Sequence, residues 1–419
     1  MVTPQDPAGA DEIHVPAFAD ALAARPGWMR ALNALGRLAP GVATPSAEAW
    51  WKAAIAGEPG AREPEEPALR ALEALADSLR RDARLSLLGR ISARDDTIRI
   101  ARTHLRVQRA LDEHPQILAT ALPDPVFIIG LPRTGTTFLH LLLSCDPRNR
   151  TLPYWESFDP VPPRTGPDGR PAKVTAMLDQ LARIAPHYQA IHPMRADSAE
   201  ECVALFMNEF RTLQFDIQYR APHYVDWLLR EAPRIAYHGY LRQLRLVHFH
   251  RPVGERFVLK DPIHCVHLET VLELFPTAKL VFTHRDPERS LSSICSLYAH
   301  TRAIFSDAVD PLALGDEILH GYWPRALEAA QRVRAQLPRG ACADVRQPDL
   351  ARDPLGAVRA LYATLGFELD EAASDGMQRF IEHQARGPRH VHRHAAEDFG
   401  LSGGAIRERF ASYVEAFDL

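Results

Sequence analysis

The segment from Val126 to Thr137 constrains the fold more than any other part of the chain. An apolar run, Val126–Gly130, is typical of a buried strand, and a turn bounded by two glycines follows it before a helix starts at Thr136. Gly130 and Gly135 have the spacing found in phosphate-binding loops, where consecutive backbone N–H groups surround a tetrahedral anion. The start of the helix adds free N–H groups and the positive end of its dipole. The segment therefore predicts a strand, an anion-binding loop and a helix in that order.

The loop departs from the GxxxxGK(S/T) pattern of ATPases in one informative way. Thr136 stands where that pattern has its lysine, and the cation of this loop, Arg133, lies between the two glycines. Without the lysine, binding of a nucleoside triphosphate with Mg²⁺ is disfavoured, whereas an arginine facing one tetrahedral group suits a sulfuryl or phosphoryl end. Two alternatives share the loop and stay open at this point. They are a nucleotide-dependent kinase with a modified loop and a catalytically silent nucleotide-binding protein.

Strand and helix patterns alternate along the chain after this loop. Apolar runs enriched in branched side chains predict buried strands at Arg256–Leu259, Lys279–Thr283 and Ala341–Val345. Apolar residues at helical spacing predict helices at Thr136–Cys145, Val266–Leu274, Pro287–Tyr298 and Pro354–Leu365. This alternation is typical of an α/β fold in which helices cover both faces of a parallel sheet.

Residues 1–120 have a different pattern. Apolar residues recur every three or four positions over Ala68–Leu79 and Leu85–Leu111, which predicts amphipathic helices. The proline-rich and acidic stretch Glu58–Pro67 predicts a linker. We therefore divide the chain into a helical N-terminal extension over residues 1–120, acting as a cap or a lid, and a domain over residues 121–419.

Composition excludes several classes of protein. Lys and Arg number 49 and Asp and Glu 53, a net charge of −4, whereas a dedicated nucleic-acid binder is normally strongly basic. No apolar run approaches the ~20 residues that span a bilayer, and the acidic N-terminus lacks a signal-peptide pattern. Five scattered cysteines form no CxxC pair, which favours a reducing compartment. We expect a cytoplasmic protein without a membrane span or nucleic-acid partner, and this composition is compatible with a homo-oligomer.

Two further segments carry residues of interest at predicted strand ends. Arg285 closes one strand, and Ser293 lies about two turns into the helix after it, so the pair can clamp a second anion. Lys260 closes another strand and precedes Asp261. Only four of the 49 basic residues are lysine, so a lysine at such a position suggests a need for a compact charge rather than a guanidinium. A surface arginine and a local Lys260–Asp261 pair are the structural alternatives.

These motifs together resemble the PAPS-dependent sulfotransferases, in particular the bacterial ones that act on small molecules or lipids. The resemblance covers residues 121–419 and rests on GLPRTGTT, LKDPIH, ELFPTAKLVFTHRDP with Ser293, and GPRHVHRHAAEDFGL. PRTGTT and KDP are also similar to tyrosylprotein sulfotransferases. The resemblance implies a P-loop-like parallel sheet flanked by helices. It also implies in-line, metal-independent transfer of a sulfuryl group from PAPS to a hydroxyl or amine of a small-molecule or lipid acceptor.

The resemblance also assigns roles to particular residues. The 5′-phosphosulfate would be held by Arg133, Thr134, Gly135, Thr136 and Thr137. The 3′-phosphate would be held by Arg285 and Ser293, with further contacts from Arg389 and Arg393 of the C-terminal segment. Lys260 matches the lysine that contacts the bridging oxygen or the sulfuryl group, and Arg133 would share the catalytic stabilisation of charge.

The acceptor needs a general base, for which the sequence offers several candidates. His264 lies four residues after Lys260, whereas cytosolic sulfotransferases have their catalytic histidine two residues after the lysine. Glu156 lies roughly where tyrosylprotein sulfotransferases have a catalytic glutamate. The adjacent glutamates Glu200–Glu201 are a third possibility. His390, His392 and His394 alternate along the chain, but the arginines between them suit a phosphate better than a metal, so we expect no metal site.

Overall fold

The computed structural model describes residues 12–23, 25–386, 389–392 and 394–419. Its centre is a sheet of five parallel strands in the order β3-β4-β2-β5-β6, and a separate parallel pair joins β1 to β7. The strands are β1 (Glu12–Val15), β2 (Pro125–Ile129), β3 (Asn149–Arg150), β4 (Arg256–Lys260), β5 (Lys279–His284), β6 (Cys342–Arg346) and β7 (Arg389–His392). The predicted α/β class with a parallel sheet is confirmed.

Helices cover both faces of this sheet, as the alternation along β2 demonstrates. Phe127 and Ile129 pack into one hydrophobic core, and Val126 and Ile128 pack into another on the opposite face. Because successive side chains of a strand point to opposite faces, both faces of β2 are buried, and the strand is apolar throughout.

The helices before the sheet are α1 (Phe18–Ala23), α2 (Gly27–Leu38), α3 (Ala47–Ala56), α4 (Glu66–Arg81) and α5 (Leu87–Glu113). The helices from the phosphate loop to β4 are α6 (Thr136–Leu143), α7 (Tyr154–Phe158), α8 (Arg170–Ile184), α9 (Tyr188–Ile191), α10 (Val203–Met207), α11 (Gln214–Tyr219), α12 (Pro222–Arg230) and α13 (Pro233–His250). Short 3-10 helices span Pro115–Ala119, Pro262–Val266 and Glu397–Phe399.

The remaining helices alternate with the last strands of the sheet and continue beyond it. They are α14 (Leu268–Leu274), α15 (Pro287–Phe305), α16 (Pro311–His320), α17 (Tyr322–Arg334), α18 (Gln347–Arg352), α19 (Pro354–Leu365), α20 (Glu371–Arg386), α21 (Gly403–Arg409) and α22 (Ala411–Phe417). In the described residues, no helix combines the length and apolar content needed to cross a membrane.

The N-terminal helices pack into the same core as the sheet. Trp50 and Leu72 belong to the hydrophobic cluster that contains Phe127 and Phe206. The amphipathic helices predicted before residue 120 are present as α4 and α5, while the division of the chain at residue 120 stays a prediction. The pairing of β1 with β7 was not predicted, because two four-residue strands so far apart in sequence give no local sign of each other.

The carboxyl ends of β2, β4 and β5 meet at one edge of the sheet, because all three strands are parallel neighbours. The segments that leave these ends carry the GLPRTGTT loop, Lys260 with Asp261, and Arg285. In open α/β sheets this edge is where ligands bind. The topology therefore brings the loop together with two motifs that follow it by more than 100 residues in the chain.

Candidate active site

The phosphate loop adopts a conformation that requires its two glycines. Gly130 has φ 140°, and a Cβ there would lie 2.6 Å from the carbonyl oxygen of Thr283 on the neighbouring strand. Gly135 is the N-cap of α6 with φ 94°, in the left-handed region. Arg133 also has a positive φ, 69°, which is strained for a residue with a side chain and is often found at functional sites. The loop thus turns its backbone tightly into the helix start.

The side chain of Thr134 has a different role from the one implied by the resemblance. It is fully buried, and its hydroxyl lies 2.7 Å from the carbonyl oxygen of Leu131 and 2.6 Å from the Thr283 hydroxyl. This hydroxyl ties the loop to β5 and is not directed at a ligand. Thr137, by contrast, is exposed at the first turn of α6.

Arg133, Arg285 and Ser293 lie together, as the sequence motifs implied. Nε of Arg133 donates to the Ser293 hydroxyl at 3.0 Å, and a terminal nitrogen of Arg285 donates to the Arg133 carbonyl at 2.9 Å. Burial and the neighbouring Arg285 lower the pKa of Arg133, while burial and the neighbouring Arg289 lower the pKa of Arg285. Like charges are therefore held close to one another at the end of β5.

This arginine cluster fits an anionic donor molecule. Within the described part of the chain, neither Arg133 nor Arg285 forms an ion pair with a carboxylate, and the buried Nε of Arg285 has no hydrogen-bond partner. Partly buried cations without a counter-ion are costly unless an anion binds them. Together with the loop amides, these groups suit an anionic ligand.

The C-terminal segment returns to the same place. Nδ1 of His394 lies 3.1 Å from the hydroxyl of Ser292, and burial followed by the charges of Arg133 and Arg285 lowers the pKa of His394. Of the two C-terminal arginines implied as phosphate contacts, Arg393 lies outside the described residues, and so does the side chain of Arg389.

Lys260 lies between the phosphate loop and a pair of glutamates. Its side chain is 1% exposed, and its ammonium donates to the Thr137 hydroxyl at 3.2 Å and forms an ion pair with Glu201. The partner of Lys260 is therefore Glu201, 59 positions away in the chain, and not the adjacent Asp261 considered from sequence. Its ammonium lies at the start of α6, next to the anion-binding loop.

Backbone hydrogen bonds hold the glutamates in this position. The N–H of Glu200 donates to the Leu152 carbonyl at 2.9 Å, and the N–H of Cys202 donates to the Lys260 carbonyl at 3.0 Å. The segment 200–202 therefore crosses the ends of β3 and β4. The N–H of Glu201 donates to the Glu200 carboxylate at 2.9 Å.

The two carboxyl groups have opposite pKa shifts. Burial raises the pKa of Glu200 to about 7, although Lys260 opposes the shift. Burial also disfavours the charged form of Glu201, but the Lys260 ammonium and His192 outweigh it and bring the pKa of Glu201 below its usual value. The carboxylate of Glu201 is therefore ionised beside Lys260, whereas the carboxyl of Glu200, the residue before it, has its pKa near neutral pH.

The position of His264 contradicts its interpretation as the general base. The ring is fully buried, packs edge-on against Phe127 and Phe206, and places Nδ1 2.9 Å from the Tyr237 hydroxyl. Burial, with a contribution from His267, lowers the pKa of His264 to about 3. The 3-10 turn after Asp261 points this ring into the core beneath the sheet edge, so an acceptor cannot reach it.

Glu156 is also directed away from Lys260. Its carboxylate is 4% exposed, and it forms ion pairs with Arg150 at 2.6 Å and Arg251 at 3.1 Å. It lines a cleft of about 1170 Å³, whereas Tyr154 of the same short helix lines the cavity beside Glu201. The one-turn helix α7 separates the cleft from the cavity, and the carboxylate oxygens of Glu156 already form ion pairs with two arginines. This contradicts its predicted role as the base.

A cavity of about 310 Å³ opens beside Glu200 and Glu201. Its charged and titratable lining groups include the two glutamates, His192, Asp96 and Arg99, and most of its other walls are apolar. The aromatic and aliphatic walls include Tyr154, Phe158, Met177, Tyr188, Met207, Ile217, Leu297 and Phe305. In the described part of the chain, no group of three or more His, Cys, Asp or Glu side chains is arranged to hold a metal ion.

Comparison with known proteins decides the family. Residues 125–371, more than half of the chain, match the sequence profile of the sulfotransferase family. The chain belongs to the sulfotransferase family. The matched residues of this family member begin at β2 and include the phosphate loop, Lys260 and the Arg285–Ser293 pair.

Relatives and solved structures agree with this assignment. Omega-hydroxy-beta-dihydromenaquinone-9 sulfotransferase Stf3 from Mycobacterium tuberculosis, and its counterpart from Mycobacterium bovis, are 27% identical to this sulfotransferase-family chain over 278 residues. The match spans 60% of this chain and 65% of each relative.

Two solved structures extend the comparison to the fold. Sulfotransferase STF1 from Mycobacterium tuberculosis has a TM-score of 0.77 and 28% identity, covering 88% of this chain and 99% of its own. Sulfotransferase STF9 from Mycobacterium avium has a TM-score of 0.79 at 24% identity, covering 90% of this chain and 97% of its own. The α/β arrangement described above is therefore the sulfotransferase fold.

Proposed function

We propose that this protein is a cytoplasmic enzyme that transfers the sulfuryl group of PAPS to the hydroxyl of an acceptor with an apolar body. The observation that carries the proposal is the Lys260–Glu201 ion pair, which lies between the anion-binding loop and an apolar cavity. A cation at the donor side and a carboxylate at the acceptor side are the two groups that sulfuryl transfer to a hydroxyl needs.

The donor-binding residues divide into two groups. The loop amides, Arg133 and the Thr136 and Thr137 hydroxyls would hold the 5′-phosphosulfate, since they surround the N-terminus of α6. Arg285 and Ser293 would hold the 3′-phosphate. When bound, PAPS supplies a sulfuryl group joined to a phosphate that can leave as adenosine 3′,5′-bisphosphate.

The acceptor hydroxyl would approach from the apolar cavity. Its oxygen forms the new S–O bond as the S–O bond to the 5′-phosphate breaks, and its proton passes to the carboxylate of Glu201. Lys260 and Arg133 stabilise the charge that develops on the leaving phosphate oxygen and on the sulfuryl oxygens. Lys260 would turn from Glu201 towards this charge, which leaves Glu201 free to accept the proton.

The cavity lining supports an acceptor with an extended apolar part. Most of the cavity wall is apolar, so a molecule with an extended apolar part and a terminal hydroxyl fits better than a sugar or another molecule with many polar groups. The mycobacterial relatives are named for omega-hydroxy-beta-dihydromenaquinone-9, which agrees with this class.

The experiment that tests the function uses the purified full chain with PAPS labelled in the sulfate group. Transfer of label to a long-chain primary alcohol supports the proposal, and turnover should persist in EDTA. Dependence on Mg²⁺ with ATP as donor would instead indicate a kinase. Binding of adenosine 3′,5′-bisphosphate without transfer to any alcohol, phenol or amine would indicate a silent nucleotide-binding protein.

Replacing Arg285 tests the 3′-phosphate assignment. Arg285→Ala should weaken PAPS binding by roughly 10- to 150-fold, because losing a hydrogen bond to a charged group costs about 1.5–3 kcal/mol. Binding of adenosine 5′-phosphosulfate, which lacks the 3′-phosphate, should change little. Calorimetric titration with both nucleotides measures the difference, and equal weakening of the two would contradict the assignment.

Glu200 predicts a specific pH dependence of stability. Because the pKa of this carboxyl rises from 4.5 to about 7 on folding, the folded protein retains a proton between these values that the unfolded chain has lost. The contribution of Glu200 to stability is therefore full below pH 4.5 and is lost as the pH rises to about 7. Glu200→Gln should show a smaller decline in Tm over this window, measured without nucleotide. The same substitution at the exposed Glu371 is the control, and an unchanged decline in Glu200→Gln would refute the prediction.

A further inference from the structure

The helix α2 presents an unusual concentration of apolar side chains to solvent. Eight large apolar side chains are exposed in the part of the chain that the structure describes, and four of them lie on α2 and the turn after it. Trp28 is 53% exposed, Leu35 62%, Leu38 83% and Val42 48%. We call these four residues the α2 surface. Half of the exposed large apolar side chains thus fall within 15 consecutive residues.

The orientation of α2 is held firmly from its other face. Met29 and Asn33 are buried, and the Asn33 amide donates to Asp307 at 2.9 Å and accepts from the N–H of Leu88 at 3.2 Å. The helix approaches α5 so closely at Gly36 that a Cβ there would lie 2.3 Å from Cβ of Leu87. The α2 surface cannot turn inward without breaking these contacts.

Both charged side chains of α2 itself are arginines. Arg30 and Arg37 are exposed along one edge of the helix, and residues 21–47 contain no Asp or Glu. An apolar stripe that includes a tryptophan, bordered by arginines, is the pattern of helices that lie in the headgroup region of a lipid layer. The two arginines favour lipids with negatively charged headgroups.

The same helix adjoins the proposed acceptor cavity. Pro26 and Met29 line a crevice together with Phe18, Tyr188 and Ile304, and the last two residues also line the cavity beside Glu201. The crevice lies on the buried side of α2, so a lipid layer on the α2 surface would lie across this helix from residues that also line the acceptor cavity.

We propose that the α2 surface binds an anionic lipid layer, with α2 lying parallel to it and Arg30 and Arg37 at the phosphate level. A lipid layer is favoured over a second copy of the chain, because stable protein interfaces usually bury on the order of 800 Å² per partner, more than four side chains on one helix supply. The site is independent of the catalytic groups. Lipid binding can therefore fail or succeed separately from sulfuryl transfer.

The test is co-sedimentation of the full chain with vesicles, without donor or acceptor. Vesicles of equal parts phosphatidylcholine and phosphatidylglycerol should bind the protein, and vesicles of phosphatidylcholine alone should bind it more weakly. The double variant Leu35→Ser with Leu38→Ser should lower the partition coefficient at least tenfold, and Arg30→Gln with Arg37→Gln should remove the preference for the anionic vesicles. All four positions are exposed, so the variants should keep the thermal unfolding temperature of the unmutated protein.

Leu312→Ser is the matched control, because Leu312 is 62% exposed, as Leu35 is, but lies on α16. It should leave vesicle binding unchanged. Equal loss of binding in the control and the α2 variants, or no binding to anionic vesicles by the unmutated protein, would overturn the proposal. So would a concentration-dependent dimer in light scattering that the Leu35→Ser and Leu38→Ser changes dissolve.

Discussion

Glu201→Gln is expected to lower the rate of sulfuryl transfer by about 10²- to 10⁴-fold, the usual contribution of a general base. Glutamine keeps the size of the side chain and can still contact Lys260, but it cannot take the proton of the acceptor. Donor binding should not weaken, because removing the carboxylate leaves the Lys260 ammonium available to the anionic nucleotide. Single-turnover transfer at saturating PAPS, together with calorimetric PAPS binding, measures both quantities.

The acidity of the acceptor provides a sharper version of this test. An acceptor whose hydroxyl ionises easily, such as a nitrophenol, needs a base less than an aliphatic alcohol does. The loss caused by Glu201→Gln should therefore be much smaller with the phenol. Glu200→Gln is the matched control, with a smaller loss on the alcohol. If Glu200→Gln shows the larger loss and the dependence on acceptor acidity, the base is Glu200 and our assignment is wrong.

Lys260→Arg is expected to lose on the order of 10²-fold in transfer rate although it keeps the positive charge. The ammonium is a point charge that can approach a single bridging oxygen, whereas a guanidinium is broader and prefers two oxygens. The space at Lys260 is also limited, since its side chain is 1% exposed between Thr137 and Glu201. Lys260→Ala should lose as much or more, while PAPS affinity should change little in Lys260→Arg.

Lys279→Arg is the matched control for this substitution. Lys279 begins β5, and its ammonium donates to the Gly340 carbonyl at 3.0 Å, away from the phosphate loop. The control should transfer sulfate at the unmutated rate, measured in a single turnover at saturating PAPS. A rate for Lys260→Arg close to that of the control would remove Lys260 from the catalytic groups. Thermal unfolding of both variants excludes a general loss of structure.

Much of this architecture could be predicted from local sequence. The strand before the phosphate loop was predicted at Val126–Gly130 and lies at Pro125–Ile129, and the predicted helix Pro354–Leu365 matches α19. These segments carry their own sequence signals, namely an uninterrupted apolar run for β2 and a proline at the start of α19. The resemblance to PAPS-dependent sulfotransferases implied that Arg133, Arg285 and Ser293 would bind the same nucleotide, and the three side chains lie together in the structure.

The proposed proton acceptor, Glu201, could not be predicted in the same way. His264 and Glu156 were favoured by their distance in sequence from known motifs. In the structure the His264 ring points into the core, and the Glu156 carboxylate pairs with two arginines. Glu200–Glu201 was only a third possibility, because adjacent glutamates have no local pattern that separates them from a solvated helix start.

The sequence by itself determined the α/β class and the glycine-bounded loop between β2 and α6, since each depends on residue types at short spacing. The tertiary structure alone decided which carboxylate meets Lys260. That contact depends on segment 200–202 crossing the ends of β3 and β4, where the Cys202 N–H bonds to the Lys260 carbonyl. The direction of the Glu201 side chain is set by backbone pairing between segments about 60 residues apart, and no local sequence pattern predicts such a pairing.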